Sequence, residues 1–505
     1  MNTKALRQKI LDLAIHGKLV PQNPNDESAE VLLKKIREEK AEKIKKGELK
    51  ADKKDSFIFV GSDKRHYEQF ADGTVKDIED EIPFVVPDGW AWCRLPEICV
   101  IPITDGTHQT PTYCDKENGV PFLSSKDVTS GKIDWSKIKY ITKELHQELQ
   151  KRIAPKKDDI LLAKNGTTGV AAIVEDETIF DIYVTLAVIR PNQKIVYPEF
   201  LLNIINSPFC KNQFNEHLTG IGVPNLHLVD INKTFIPLAP LNEQRQITDK
   251  IGSYTVHIDE LEKNKSDLQT AIKQAKSKIL DLAIHGKLVP QDPNDEPAEV
   301  LLKRIATSDN RPYKKFDDDI PFSLPQNWEW CYLGDICKVS SAKRVLQQDW
   351  KDSGIPFYRA REIAQLSNNE TVKEDLFITP ELYDELKNKY GVPVTGDLMI
   401  SAVGTIGKVY IVKESDCFYY KDASVICFSK KEKSIDSKYL KLCLESGFLQ
   451  NQIYSQSTGT TVDTITINKA QEYLFPLPNI KEQKRIVSKI EELFSYLDTI
   501  SSNLE

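Results

Sequence analysis

The stretch at residues 9–22 reads KILDLAIHGKLVPQ, and the same fourteen letters return at residues 278–291. The copy runs on to Ile36 and Ile305, and only Asn23/Asp292, Ser28/Pro297 and Lys35/Arg304 differ along it. Identity over that length excludes chance and makes the repeat the key to the fold. Fainter echoes fill the rest. DEIPFVVPDGWAWCRLPEIC (80–99) answers DDIPFSLPQNWEWCYLGDIC (318–337), and VPFLSSKDV (120–128) answers IPFYRAREI (355–363). DILLAKNGTTGVAAIV (159–174) answers DLMISAVGTIGKVYIV (397–412), and PLNEQRQITDKI (240–251) answers NIKEQKRIVSKI (479–490). The chain is one unit written twice.

Helical segments are repeated nearly letter for letter, whereas the loops diverge. From Glu243 to Leu282, Ile251, Ile258, Lys265, Ile272 and Ile279 take one heptad position, and Ile247, Tyr254, Leu261, Leu268, Ala275 and Leu282 the other. This spacing predicts a long helix with a coiled-coil seam, interrupted by one lysine and closed by Gly286. Ile486, Ile490, Leu493, Leu497 and Ile500 restart the same pattern near the C-terminus, and Leu6, Ile10 and Leu13 take it up at the N-terminus. The repeat is thus cut open within one helix, in the manner of a circularly permuted tandem duplication. Two such helices related by a pseudo-two-fold axis would run antiparallel. A helix of about 40 residues spans ~60 Å and would act as a rigid spacer.

The predicted fold class is α+β, with two globular α/β modules separated by an antiparallel coiled-coil helix pair. The boundaries read 1–36 (N-terminal helix and repeated segment), 37–79 (charged insertion), 80–236 (first module), 237–305 (central helix and connector), 306–475 (second module) and 476–505 (C-terminal helix). The insertion opens with IREEKAEKIKKGELKADKK, which reads as a solvated helix or linker, with a DNA or partner contact as the sharper alternative.

No apolar run approaches the ~18 residues of a membrane span, and the start of the chain is a charged amphipathic pattern, which places the protein in the cytoplasm. Nine cysteines without a C-x-x-C pair argue against a disulfide framework or a zinc ribbon. Cys93, Cys99, Cys331 and Cys337 read as core thiols. A net charge of −7 excludes a protein that coats nucleic acid unaided. Nucleotide-binding glycine loops, an H-E-x-x-H motif and an amino-methyltransferase tetrapeptide are all missing from the sequence. His16 and His285, each before a helix-ending glycine, read as caps of the last carbonyls.

What remains are polar loops whose Thr, Ser, Asn, Lys and Arg suit donor and acceptor work on base edges and phosphates. In the first module the candidates are Thr107, His108, Thr110, Ser125, Lys126, Lys164, Asn165, Thr219 and Asn225. In the second they are Ser340, Lys343, Arg344, Arg359, Arg361, Thr458, Thr460 and Thr461. Arg359 and Arg361 alternate in a strand-like run and would point the same way, one of them toward a guanine.

The W-x-W-x-x-L-x-x-I-C openings at 90–99 and 328–337, GDLMISAVGTIG at 396–407, the S-T-G-T-T loop, the E-Q before each long helix and KILDLAIHGKLVPQ after it are together similar to the specificity subunit of type I restriction-modification enzymes. The resemblance covers nearly the whole chain outside 37–79. It implies two target recognition domains that each read one half of a split double-stranded DNA site, helices that set the spacer, and two modification (methyltransferase) subunits docked on those helices. It further implies restriction or translocase subunits as additional partners. S-adenosylmethionine, and ATP with Mg for restriction, would then sit in the partners, with no cofactor, metal or catalysis in this chain. The recognition subunit of a system combining restriction and methylation in one partner is the nearest alternative. A non-enzymatic coiled-coil scaffold is the alternative from another class, and a self-sufficient enzyme the third.

Overall fold

The computed structural model describes residues 2–48, 55–129, 131–216, 218, 224–317, 319–431, 435–458 and 462–504. The chain divides into two compact units, Met1–Lys263 and Asn264–Glu505. One helix, Leu241–Ile284, contributes its first part to the first unit and its second part to the other.

Each unit has the same sheet plan. In the first, Ala171–Ile173, Ile160–Ala163, Leu186–Ile189 and Thr104–Asp105 form an antiparallel sheet in that order. In the second, Val409–Ile411, Leu398–Ser401, Val425–Lys430 and Cys337–Ser340 do the same. The central strands are apolar runs buried on both faces. Ile160 and Leu162 face a core shared with helices, while Leu161 and Ala163 face a smaller core under the second sheet. Leu398 and Ile400 against Met399 repeat that division. The second sheet of each unit carries a parallel pair, Asp181–Ile182 beside Gly119–Leu123 and Tyr419–Tyr420 beside Ile355–Tyr358. Mixed helix and sheet content of this kind is α+β.

The E-Q dipeptide explains how each module is fixed to its helix. Gln244 accepts from the Tyr197 amide at 2.8 Å and donates to the Ile195 and Ala239 carbonyls, each at 2.8 Å. Gln483 accepts from the Asp436 amide at 2.8 Å and donates to the Pro478 carbonyl at 2.9 Å. Glu243 accepts from the Trp90 indole at 3.0 Å and from Gln22 at 3.1 Å, and Glu482 accepts from Gln291 at 2.6 Å. The two glutamines satisfy backbone groups that burial would otherwise leave unpaired, and the two glutamates satisfy side-chain donors. Desolvation pushes the carboxyls of Glu243 and Glu482 above the usual range.

Within the first unit, Arg7 pairs with Asp259 at 2.5 Å while Gln22 meets Glu243, so the helix Thr3–Ile15 runs against the direction of Leu241–Ile284. Within the second unit, Lys276 pairs with Asp498 at 2.5 Å and Gln291 meets Glu482, and the helix Ile480–Ser502 runs in the same opposed sense. Of the predicted seam, Ile247, Ile251, Ile258, Ile272, Ile486 and Ile490 are buried, and Ile279, Leu493 and Leu497 are half-buried. Leu261, Leu268 and Ile500 are exposed at 45%, 40% and 44%, so the stripe is not continuous. The physical reason is that burial comes from the module cores, which take in Ile247, Ile251 and Ile258 on one side and Ile486 and Ile490 on the other.

The insertion opens with the expected solvated charged helix, as far as Lys45, and departs from that expectation only beyond it. Its helical run belongs to the helix Ala29–Lys45, but Ser56–Val60, His66–Phe70 and Val75–Asp77 form a three-stranded antiparallel sheet. Ile58 and Ile78 pack on Trp92 and Phe235, and Arg94 pairs with Glu68 at 2.7 Å. Apolar burial beside a largely buried ion pair holds this sheet to the module. Arg37 donates to Glu97 at 2.6 Å and to the Ile58 carbonyl at 2.9 Å, while its guanidinium lies 4.4 Å from the Phe57 ring. Cys93, Cys331 and Cys337 are buried thiols whose pKa burial pushes up. His16 and His285 each meet a helix carbonyl at 2.7 Å, Asp12 and Asp281 respectively, and stack on Phe84 and Phe322.

Candidate nucleic-acid interface

In the first unit the candidate loops converge on the start of the strand Leu186–Ile189. Thr107 bridges to Tyr183, the Ser125 amide donates to the Thr185 hydroxyl at 3.0 Å, and the Lys164 amide donates to the Thr185 carbonyl at 2.8 Å. Asn165 bridges to Asn225, and Thr110 lies 3.4 Å from the Tyr183 hydroxyl. A Cβ on Gly106 would fall 2.0 Å from the Ile182 carbonyl oxygen, so glycine is what allows the loop to approach so closely. Loops distant in sequence therefore share one rim.

Asp105 is the hub of that rim. It takes Lys164 Nζ at 2.6 Å, Arg152 Nη2 at 2.7 Å and His108 Nε2 at 3.3 Å. Burial alone would raise its carboxyl. Lys164, then Arg152 and His108, outweigh this and hold it below the usual range. The expectation that Lys164 reaches DNA is thereby corrected: its side chain is 7% exposed and spent on Asp105. Arg152, 49% exposed, is the cation that the rim offers in its place. Ser125 is also buried, while His108, Thr110 and Lys126 are exposed.

The two copies of the turn after the parallel strand are built alike. The Asp127 carboxylate accepts from the Ser124 amide at 2.7 Å, and the Glu362 carboxylate accepts from the Arg359 amide at 2.8 Å. This capping turns the chain into a helical segment, Ser125–Asp127 in one unit and Ala360–Ser367 in the other. The strand alternation expected for Arg359 and Arg361 is therefore wrong: the strand stops at Tyr358, Arg359 is the helix cap and Arg361 lies in the first turn. Arg359 meets Asp375 at 2.5 Å, and Arg361 meets Asp375 and Glu362 at 2.7 Å each. Arg361 is still 56% exposed.

Arg361, Gln365 and Asn368 line one side of a cleft of about 320 Å³, and Val403 and Thr405 line the other. Val403 bridges to Thr464, and Thr458 also bridges to Thr464, which brings Thr458 to the same place. Thr219, Thr460 and Thr461 lie outside the described residues. Lys343 bonds through its backbone to the Tyr419 hydroxyl at 3.0 Å and leaves its ammonium outward, 5.5 Å from the Tyr390 ring. Arg344 is exposed and Ser340 half-buried, the latter ending its strand. Gln365 and Asn368 escaped the sequence reading because they lie in and at the end of a helix without glycines. Arg152 escaped it because its partner Asp105 is 47 residues away. Among the described residues no cluster of His, Cys, Asp and Glu could hold a metal. No described helix is long and apolar enough to cross a membrane.

The family described as type I restriction modification DNA specificity domain matches residues 87–269 and 325–505. The EcoAI specificity subunit of an Escherichia coli type I restriction enzyme is 29% identical, over 97% of this chain and 88% of its own. The EcoEI specificity subunit, also from Escherichia coli, is 27% identical, over 99% and 91%. Two solved chains share the fold at 20% identity. The HsdS subunit from Thermoanaerobacter tengcongensis has a TM-score of 0.50 over 84% of this chain and 95% of that one. A chain from a structure of complex assembly and conformational transition in the type I R-M system has 0.54 over 84% and 94%. Each family match takes in one module and the helix that follows it.

Proposed function

The chain belongs to the type I restriction modification DNA specificity family, and on that premise we propose that it selects the DNA sequence for a type I restriction-modification complex, each module reading one half of a split site. It is a recognition subunit and carries no catalysis itself. The observation that supports bipartite reading is a single geometry with two sets of side chains. Ser124 and Lys126 stand where Arg359 and Arg361 stand, around carboxylate-capped turns of the same design. Equal frames with unlike donors suit two unlike half-sites.

On this reading His108, Thr110, Lys126 and Arg152 serve the first half-site, and Arg361, Gln365, Asn368, Lys343, Arg344 and Thr458 the second. Guanidinium suits guanine and a side-chain amide suits adenine in the major groove. The central helix and the helices opposed to it, acting as an antiparallel coiled coil with pseudo-two-fold symmetry, set the unread gap and offer equivalent surfaces to two modification subunits. S-adenosylmethionine, and ATP with Mg for restriction, belong to the partner subunits. Those partners also contribute basic surface to the DNA clamp, which is consistent with the net charge of −7. The complex works in the cytoplasm.

The test is selection of random duplexes by the assembled complex. The expected outcome is two constant, unlike half-sites at a fixed gap. Enrichment of a single continuous motif, or of none, would refute bipartite reading.

A further inference from the structure

The second frame carries two arginines and, across from them, an acid that the first frame lacks. Strand register fixes the comparison. Ile355 faces Ile378, Pro356 faces Phe377 and the Phe357 amide donates to the Leu376 carbonyl at 2.9 Å, so the next pair along brings Asp375 opposite Tyr358, beside the Arg359 cap. In the first unit Val120 faces Ile141 and Phe122 faces Lys139, so the next pair brings Ile138 opposite Leu123. Arg359, Arg361 and Asp375 therefore stand where Ser124, Lys126 and Ile138 stand. Ile138 packs on the core under its sheet, whereas Asp375 is 47% exposed, so packing does not account for the acid.

The four charged side chains form one closed network. Asp375 Oδ1 accepts from Arg359 Nη2 at 2.5 Å, and Oδ2 accepts from Arg361 Nη2 at 2.7 Å. Glu362 Oε1 accepts from Arg359 Nη2 at 2.9 Å and from Arg361 Nε at 2.8 Å. The hydrogen bond from Arg361 holds the Asp375 carboxyl below the usual range, and Arg359 does the same for Glu362 against its burial. Both acids are thus ionised at neutral pH, and the two cations and two anions cancel. These contacts use only Nε and Nη2. The Nη1 of each guanidinium takes no hydrogen bond among the described residues.

We propose that Asp375 is a positioning residue that sets the specificity of the second half-site: it fixes Arg359 and Arg361 with their Nη1 edges outward for guanine and cancels the charge that would draw them to phosphates. This rests on the proposed reading of the module as a half-site reader. Attraction to the DNA backbone grows with the number of phosphates neutralised, whatever the sequence. Discrimination grows with the accuracy of a bidentate pair on guanine O6 and N7. A planar guanidinium held along one edge by carboxylates keeps its other edge in a set direction. The first frame presents one lysine, a point charge without such an edge, and has no acid at Ile138.

The experiment is binding of the assembled complex to its selected duplex, to single-base variants of it and to a random duplex, over a range of salt. Asp375→Asn keeps the shape and removes the charge. Discrimination in the second half-site is expected to fall about tenfold while the first half-site is unchanged. The random duplex should bind more tightly, with a salt slope steeper by about 0.9, the mark of one added phosphate contact. Asp375→Glu keeps the charge and should keep the original slope; a steeper slope there would overturn the charge argument. A merely structural role predicts weaker binding to all DNA and a lower unfolding temperature with no steeper slope, and that result, or an Asp375→Asn complex identical to the unvaried one, would overturn the proposal. Arg361→Ala tells the two readings apart. If it alone loses discrimination in one half-site, half-site reading stands without Asp375, and if neither variant changes any preference, reading by this frame falls as well.

Discussion

Replacing Lys164 by Met separates a structural ammonium from a DNA contact. The pair it forms with Asp105 at 2.6 Å is buried on both sides, with side chains 7% and 4% exposed. Removing one partner of a buried pair costs about 3–5 kcal/mol, because the other charge stays behind without compensation. Asp105 keeps Arg152 at 2.7 Å, so the loss falls at the lower end, about 3 kcal/mol by the same principle. For a unit of this size that is a fall in Tm of about 6–12 °C. Replacing Asp105 by Leu as well removes the stranded charge and restores most of the stability. The assays are thermal unfolding of the intact chain and the salt dependence of DNA binding by the assembled complex. An unmoved Tm, together with a salt slope smaller by about 0.9, would refute the reasoning and make Lys164 a phosphate contact.

Three further outcomes follow from the geometry. Arg361→Ala relaxes discrimination in one half-site by about 1–3 kcal/mol and leaves the other unchanged, as read from binding to a panel of single-base variants; uniform weakening across the panel would make Arg361 a backbone contact. Gly106→Ala puts a Cβ 2.0 Å from the Ile182 carbonyl oxygen and destabilises the first unit by about 1–3 kcal/mol in denaturant unfolding, and an unshifted midpoint would show that the loop can move aside. Desolvation raises the Glu97 carboxyl from 4.5 to about 7. The folded state therefore holds the proton more tightly than the unfolded chain, and stability is lost as pH rises from 4.5 through 7, by about 3 kcal/mol in all. Glu97→Gln should abolish that portion of the pH dependence of unfolding, and an unchanged profile would place its origin elsewhere.

The repeat and the long helix were legible because they depend on short-range patterns that two copies of the sequence state twice; the E-Q pair was visible only as a repeated motif, and its hold on each module rests on contacts such as Gln244 to Tyr197, 47 residues away. Three features were not. YRARE alternates like a strand, and only the Glu362 carboxylate reaching back to the Arg359 amide turns it into a helix. An acid at the same place in SSKD, Asp127, was the available signal. Lys164 looked like a free loop cation because its partner lies 59 residues away. The sheet after the charged run was hidden because SFIFV and HYEQF are short, and their burial depends on Trp92 and Phe235 of the module. Contacts distant in sequence decided the last two cases, and such contacts separate the exposed rim, Arg152, Lys126, Arg361 and Asn368, from residues spent inside the fold.

The central claim is that two like frames with unlike side chains read two unlike half-sites. Methylation mapping by single-molecule sequencing, on DNA from cells that express this chain with its modification subunit, tests it most directly. A modified motif in two unlike parts with a fixed unread gap is the predicted result, and Arg361→Ala should loosen only one of the parts. An assembled complex that leaves no new methylated motif, or a motif whose two parts are identical, would contradict the account.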